Sequence, residues 1–283
     1  MKLQHSVALP DGVDILELDV AMSNALSLSS QGLSLFEKRL ISAALAKMGQ
    51  SELPTKFKDA TWTEHEENWE SWVSHEGTPM SVRISAADYA KAGDIDLSTA
   101  YTQLQDAVKG LWEAEITMKV KTPTGIKHIA YRWLYKKIYH EGEGYAELWW
   151  TPFVARNIFD LRKKFTVYKL KQIASLESVY AIRLFEQFVT YAPGKHLEKP
   201  GIYHPTIEEF IFSIGVPEAY HKDFAGIRRR IIEKAVAELQ KKLGIKIEWK
   251  PKYRGRKVVG LVFDYAPTQA GDQSVFADEE DNE

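Results

Sequence analysis

Residues 222–257 carry thirteen Lys/Arg against four Asp/Glu, a net +9 in a chain whose formal charge is −2. The cations come in two groups. Lys222, Arg228, Arg229 and Arg230 lead into an amphipathic stretch that continues through Lys241, and Lys250, Lys252, Arg254, Arg256 and Lys257 crowd a short Gly-containing segment. Clustered guanidinium and ammonium groups neutralise phosphates and release their counterions. An Arg on an exposed helix face can also set a bidentate fork on guanine, worth about 1–3 kcal/mol of discrimination. The chemistry these spacings support is therefore recognition of double-stranded DNA.

Those residues need elements to present them. A helical wheel over Asp223 to Leu243 gathers Ile227, Ile231, Ile232, Ala235, Val236, Leu239 and Leu243 on one side. Arg229, Arg230, Glu233, Ala237, Gln240 and Lys241 face the other way, with Gly226 and Lys222 extending that face backwards, while Arg228 falls nearer the apolar side, where it packs or pairs internally. Ile245–Trp249 and Val258–Phe263 read as two strands around a turn at Gly255, so the second cationic group becomes a hairpin tip, with Pro251 discouraging edge pairing. A wing of this kind tracks phosphates or the minor groove. A solvated basic face is the plainer alternative for the helix alone; the adjoining hairpin favours DNA. A further run, Arg162, Lys163 and Lys164 with Lys169 and Lys171, reads equally as a clamp on flanking backbone or as solvated surface.

Other chemistries find little footing. No Gly-x-x-x-x-Gly-Lys-[Ser/Thr] occurs, so nothing points to ATP. The eight histidines are scattered, and His65, Glu66, Glu67 and His75 match no metal-ligand spacing. No enzyme and no cofactor is expected. The chain has no cysteine, which excludes disulfides and thiol nucleophiles and fits a reducing compartment. Neither a signal peptide nor a membrane-spanning run is apparent, so the expected setting is intracellular, the cytoplasm, with no membrane partner.

The fold expected is α+β, two tandem winged-helix domains. Residues 1–30 read as a loosely ordered lead-in. In 31–150, Ser34 with Glu37 caps a helix, Met80–Ile84 alternates as a strand, Ser85 with Asp88 opens a short helix, and Asp96 to Ser98 caps another. Ile116–Val120 and Ile126–Tyr139 then form a hairpin about Thr122–Gly125, with Tyr145–Trp150 a further strand. That order is helix, strand, helix, helix, hairpin. The exposed Thr99, Thr102, Gln103, Asp106 and Lys109, with Lys119, Lys121 and Lys127 on the hairpin, suit either a dimer contact or weaker DNA contact. The order repeats in 151–266: a short helix over Pro152–Leu161, a long one over Lys169–Tyr191, a third capped by Thr206 and Glu209, then the basic helix and its hairpin. Residues 267–283 read as an acidic disordered tail, and 50–79 as a charged loop.

Three segments together resemble a known family. Asn24–Leu26 leading to Leu35–Ile41, Tyr168–Leu170 leading to Ser178–Glu186 (Ser-Val-Tyr-Ala-Ile-Arg-Leu-Phe-Glu), and Phe224–Lys242 with its hairpin are similar to the plasmid replication initiators that bind iterons. The resemblance spans roughly 20–265, and Ser178–Glu186 is its most specific part, itself read as core. It implies binding to directly repeated origin sites, origin opening by monomers, recruitment of host replication proteins such as the helicase or host initiator, and repression of its own promoter by dimers. It also implies that Arg229, Arg230 and the Arg254–Lys257 wing make the main DNA contacts, while the N-terminal domain alternates between dimer interface and second reader. Segment 50–79 and the acidic tail have no counterpart in that pattern. A dedicated transcriptional repressor with the same DNA chemistry, a nicking relaxase, and a module for an acidic protein partner are the alternatives.

Overall fold

Reciprocal caps mark where helices begin. The Ser85 and Asp88 side chains exchange hydrogen bonds with each other's backbone amides, as do Thr206 and Glu209. The computed structural model describes residues 6–7, 13–49, 81–159, 165–193 and 197–267. The chain divides into two units, Met1–Ser175 and Leu176–Glu283.

The first unit runs β1 (Ser6–Val7), β2 (Asp19–Ser23), α1 (Asn24–Leu28), α2 (Leu35–Met48), β3 (Ser81–Ser85), α3 (Ala86–Gly93) and α4 (Leu97–Glu113). It continues with β4 (Glu115–Thr122), β5 (Gly125–Arg132), β6 (Leu134–His140), β7 (Tyr145–Trp150), α5 (Pro152–Phe159), β8 (Phe165–Lys169) and α6 (Lys171–Ala174). The main sheet has the order β1-β3-β7-β6, while β4 and β5 make a separate two-stranded hairpin. Helix α2 is enclosed on every side rather than along one stripe: Lys38 and Lys47 are buried with it, and each is answered, Lys38 by the Gln31 side chain at 2.9 Å and Lys47 by Asp88 at 3.0 Å. A buried ammonium without such partners would be too costly to keep charged.

Four expectations are corrected here. The stretch 1–30 is not a loose lead-in throughout. Asp19–Ser23 pairs antiparallel with Phe165–Lys169, and Val20, Met22 and Leu26 are fully buried. That same pairing ties Phe165–Lys169 to the first unit, so a boundary at 150/151 falls inside it. The expected strand Ile126–Tyr139 is two strands broken at Trp133, whose fully buried indole donates to the Gln31 carbonyl at 3.2 Å. Turning that large ring inward stops β5, and the chain restarts as β6 against β7. Likewise Lys169–Tyr191 is not one helix: strand β8 ends at Lys169, α6 is a single turn, and the next helix starts only after Ser178.

In the second unit come α7 (Val179–Tyr191), β9 (Gly201–Tyr203) and α8 (Ile207–Ile214). A continuous helix follows, here α9, made of α-helix Phe224–Ile227, a π-turn Arg228–Ile232 and α-helix Glu233–Leu243. Strands β10 (Lys246–Arg254) and β11 (Lys257–Ala266) complete it, in a sheet of order β10-β11-β9. Helix, strand, helix, helix and hairpin is the winged-helix arrangement, and the fold class is the expected one. Its core is aromatic. Phe188 stacks on Tyr265 with centroids 4.2 Å apart, and Phe263 lies against Phe210, Tyr203 and Trp249. Such rings bury large areas with few rotatable bonds. The Ser178–Glu186 segment belongs to this core, since Ala181 through Val189 are buried. Arg162–Lys164, residues 50–79 and the tail from 268 lie outside the described residues.

Candidate nucleic-acid interface

Helix α9 owes its position to its apolar face. Ile227, Ile231, Ile232, Ala235, Val236 and Leu239 are buried, and each isoleucine so placed contributes about 1.5–3 kcal/mol. Asp223 caps the start by accepting from the Gly226 amide at 2.9 Å, and Gly244 ends it in the left-handed region at φ +63°. With one face fixed, Lys222, Arg229, Arg230 and Lys241 are all exposed, as the wheel requires.

Two placements differ from the wheel. Gly226 is buried, because the Asp223 carboxylate and the Tyr220 ring sit where its Cβ would be. Arg228 is not turned inward: its side chain is 58% exposed and pairs with Glu233 at 2.6 Å. The cause is the π-turn, in which the Glu233 amide reaches back to the Arg228 carbonyl and one extra residue enters the turn. A straight helix would hold Arg228 behind Ile231 and Ile232; the wider turn moves it out.

The three adjacent arginines therefore have different surroundings. Arg228 is engaged by a carboxylate. Arg229 makes one long contact, from Nε to the Ala225 carbonyl at 3.4 Å. Arg230 donates from Nη1 to the Tyr220 hydroxyl at 3.0 Å, with its guanidinium 5.6 Å from the centre of the same ring.

The wing is built by β10 and β11. Arg254 faces Lys257 across a two-residue loop of Gly255 and Arg256, and Gly255 takes φ +61°, which a side chain would strain. No atom lies within 4 Å of a Cβ built there, so conformation alone selects glycine. Strand β10 is an edge, which accommodates Pro251. Lys246, Glu248, Lys250 and Lys252 share its outward side, and the register shifts between Lys252 and Tyr253, a bulge that re-aims the tip. Lys250, Lys252, Arg254, Arg256 and Lys257 are all exposed, and none has an ion pair with a described residue. The arrangement brings nine of the twelve candidate residues onto α9, its approach and this wing. Arg162, Lys163 and Lys164 fall outside the described residues. Of the lysines near them, Lys169 pairs with Asp19 at 2.8 Å and Lys171 with Glu17 at 3.1 Å, so acids of the same unit already answer both.

Sequence reading missed two aromatic residues. Tyr253, 63% exposed between Lys252 and Arg254, belongs to the wing tip, and the Lys-Tyr-Arg alternation was its signal. Tyr220 has no such signal, because its partner lies ten residues on. Among the described residues no group of three or more His, Asp or Glu could hold a metal, and no helix is long and apolar enough to cross a membrane.

Comparison with known proteins agrees with this topology. Residues 19–189 match the family described as Initiator Replication protein, WH1, and residues 206–265 match Initiator Rep protein, WH2. A probable replication protein of Bifidobacterium longum (strain NCC 2705) is 30% identical over 107 residues, 38% of this chain and 33% of that protein. The chain thus aligns with about a third of that relative's length. An uncharacterised 27.6 kDa protein of Escherichia coli is 23% identical over 228 residues, 80% of this chain and 86% of that protein. The crystal structure of the Pi initiator protein in complex with iteron DNA superposes with a TM-score of 0.67, covering 91% of this chain and 100% of that one at 20% identity. At that identity the likeness speaks for the fold.

Proposed function

The chain belongs to the family of initiator replication proteins built from WH1 and WH2 domains, and from that premise we propose that it is a non-enzymatic plasmid replication initiator that binds the repeated sites, or iterons, of its origin. The observation that carries this reading is the second unit's cationic surface. An exposed Arg229 and Arg230 on α9 continue into a wing whose five cations have no acidic partner among the described residues. Helix α9 reads bases in the major groove, and Lys250, Lys252, Arg254, Arg256 and Lys257 anchor the flanking phosphates. Lys222 and Lys241 extend the anchor at either end of the helix; Arg162, Lys163 and Lys164 would add a further one. The first winged helix supplies either a second, weaker DNA contact or the surface for a partner copy. Bending of the bound repeats would favour local melting, and recruitment of the host helicase or initiator and repression by dimers complete the proposed cycle.

Fluorescence anisotropy over a salt series, comparing the plasmid's own repeats with scrambled duplex, tests the reading. A strong preference that Arg229→Ala or Arg230→Ala removes supports it. A steep salt slope, about −0.9 per phosphate neutralised, with equal affinity for both duplexes would sink it. A transcriptional repressor with the same chemistry would instead prefer a lone inverted repeat.

A further inference from the structure

We infer that Tyr220, which lies outside α9, is the residue that pre-orders Arg230 for base readout. This rests on α9 being the DNA reader. An arginine on a helix surface normally samples many rotamers, and ordering it on DNA costs about 0.5–1.5 kcal/mol per side chain. Arg230 is already held. Its Nη1 donates to the Tyr220 hydroxyl at 3.0 Å, and its guanidinium leans over the ring at 5.6 Å. That contact uses one nitrogen only. The edge formed by Nε and Nη2 has no partner among the described residues, and two parallel donors on one edge are what a guanine's O6 and N7 accept.

Tyr220 can do this because it is itself fixed. It ends a short 3₁₀ turn in which its amide donates to the Pro217 carbonyl at 2.9 Å, and its own carbonyl accepts from the Asp223 amide at 2.9 Å. The next residue, His221, is tied through Nε2 to the Val216 carbonyl at 2.8 Å. The Tyr220 ring rests on Gly226, whose missing side chain leaves room for it. The neighbouring arginines lack such support among the described residues: Arg228 is engaged by Glu233, and Arg229 has there only its long contact to Ala225. The three side chains thus divide into one paired, one loosely held and one aimed.

The test starts from a randomised duplex pool, from which the full chain selects its preferred sequence; every base pair of that duplex is then varied singly. Tyr220→Phe removes one oxygen and keeps the ring that packs on Gly226. It should weaken the selected duplex about tenfold, the scale of one charge-assisted hydrogen bond. The loss should fall at the same base pair that Arg230→Ala flattens, with unchanged salt slope and unchanged affinity for scrambled DNA. Adding Tyr220→Phe to Arg230→Ala should cost nothing more. An unaltered profile in Tyr220→Phe, or losses that simply add in the double variant, would overturn the assignment while leaving the DNA-binding function standing. If no sequence emerged from the pool at all, the initiator reading would fall and this inference with it.

Discussion

Arg183, inside α7, donates through Nε and Nη2 to a single backbone oxygen, the Ser213 carbonyl in the last turn of α8, at 3.0 and 2.6 Å. Its Nη1 meets Glu186 at 2.7 Å, and both side chains are almost wholly buried. The end of a helix presents carbonyls that lack amide partners, and this guanidinium answers one of them while crossing between two helices. The Arg and Glu of the Ser178–Glu186 segment therefore hold the scaffold on which α9 sits, buried away from solvent.

Removing one member of that buried pair strands the other. Arg183→Ala should destabilise the second unit by about 3–5 kcal/mol. Urea denaturation followed by hydrogen exchange at the α7 amides would measure it. A loss comparable to that of an exposed salt bridge would contradict the buried geometry.

Helix and wing should fail differently on DNA. Replacing Lys250, Lys252 and Arg254 together by Ala should reduce the salt slope by about 0.9 for each phosphate no longer neutralised, and weaken repeats and scrambled duplex alike. Arg229→Ala and Arg230→Ala should instead erode the preference between them. Parallel anisotropy titrations at several salt concentrations separate the two patterns.

Gly255 is the point where the wing reverses at φ +61°. Gly255→Val forces a branched side chain into the left-handed region, at a cost of about 1–2 kcal/mol, whereas Gly255→Asn should be milder. Thermal melting should rank glycine above asparagine above valine, with DNA affinity in the same order.

Asp96 caps α4, and hydrogen bonds from the Ser98 hydroxyl first, then from the Thr99 hydroxyl and amide, hold its carboxyl well below the usual carboxylate range. A carboxylate with a depressed folded-state pKa stabilises the protein above its unfolded value and loses that contribution as pH falls through the folded one. The gap in melting temperature between the parent chain and Asp96→Ala should be full at neutral pH and close progressively below about pH 4. A gap that stayed constant with pH would argue against a charged cap.

What the sequence made legible was local. Ser85 with Asp88, Thr206 with Glu209, and Asp96 each announce a helix start within four residues, and the alternation around Gly255 announces a hairpin. The exposed cations of α9 follow from a helical period that any wheel shows. What stayed hidden depends on partners far away in the chain. Val20 and Met22 become core only because Phe165–Lys169 returns to pair with them, and Trp133 interrupts a strand only because Gln31 waits for its indole. Arg228 was misplaced for a third reason: a wheel assumes a uniform turn, and this helix does not have one.

That uneven turn takes in one residue more than an α-helical turn would. From Ile227, Ile231 stands at the ordinary four-residue step, while Ile232 lies five residues on and reaches full burial in a turn that holds one residue more than an α-turn. Excising a single residue from the Arg228–Arg230 run would bring that spacing to three and four and let Glu233–Leu243 join Phe224–Ile227 without a bulge. The shortened helix would keep its buried face and lose an arginine. The wider turn thus leaves all three arginines on the side turned to solvent while both isoleucines stay buried.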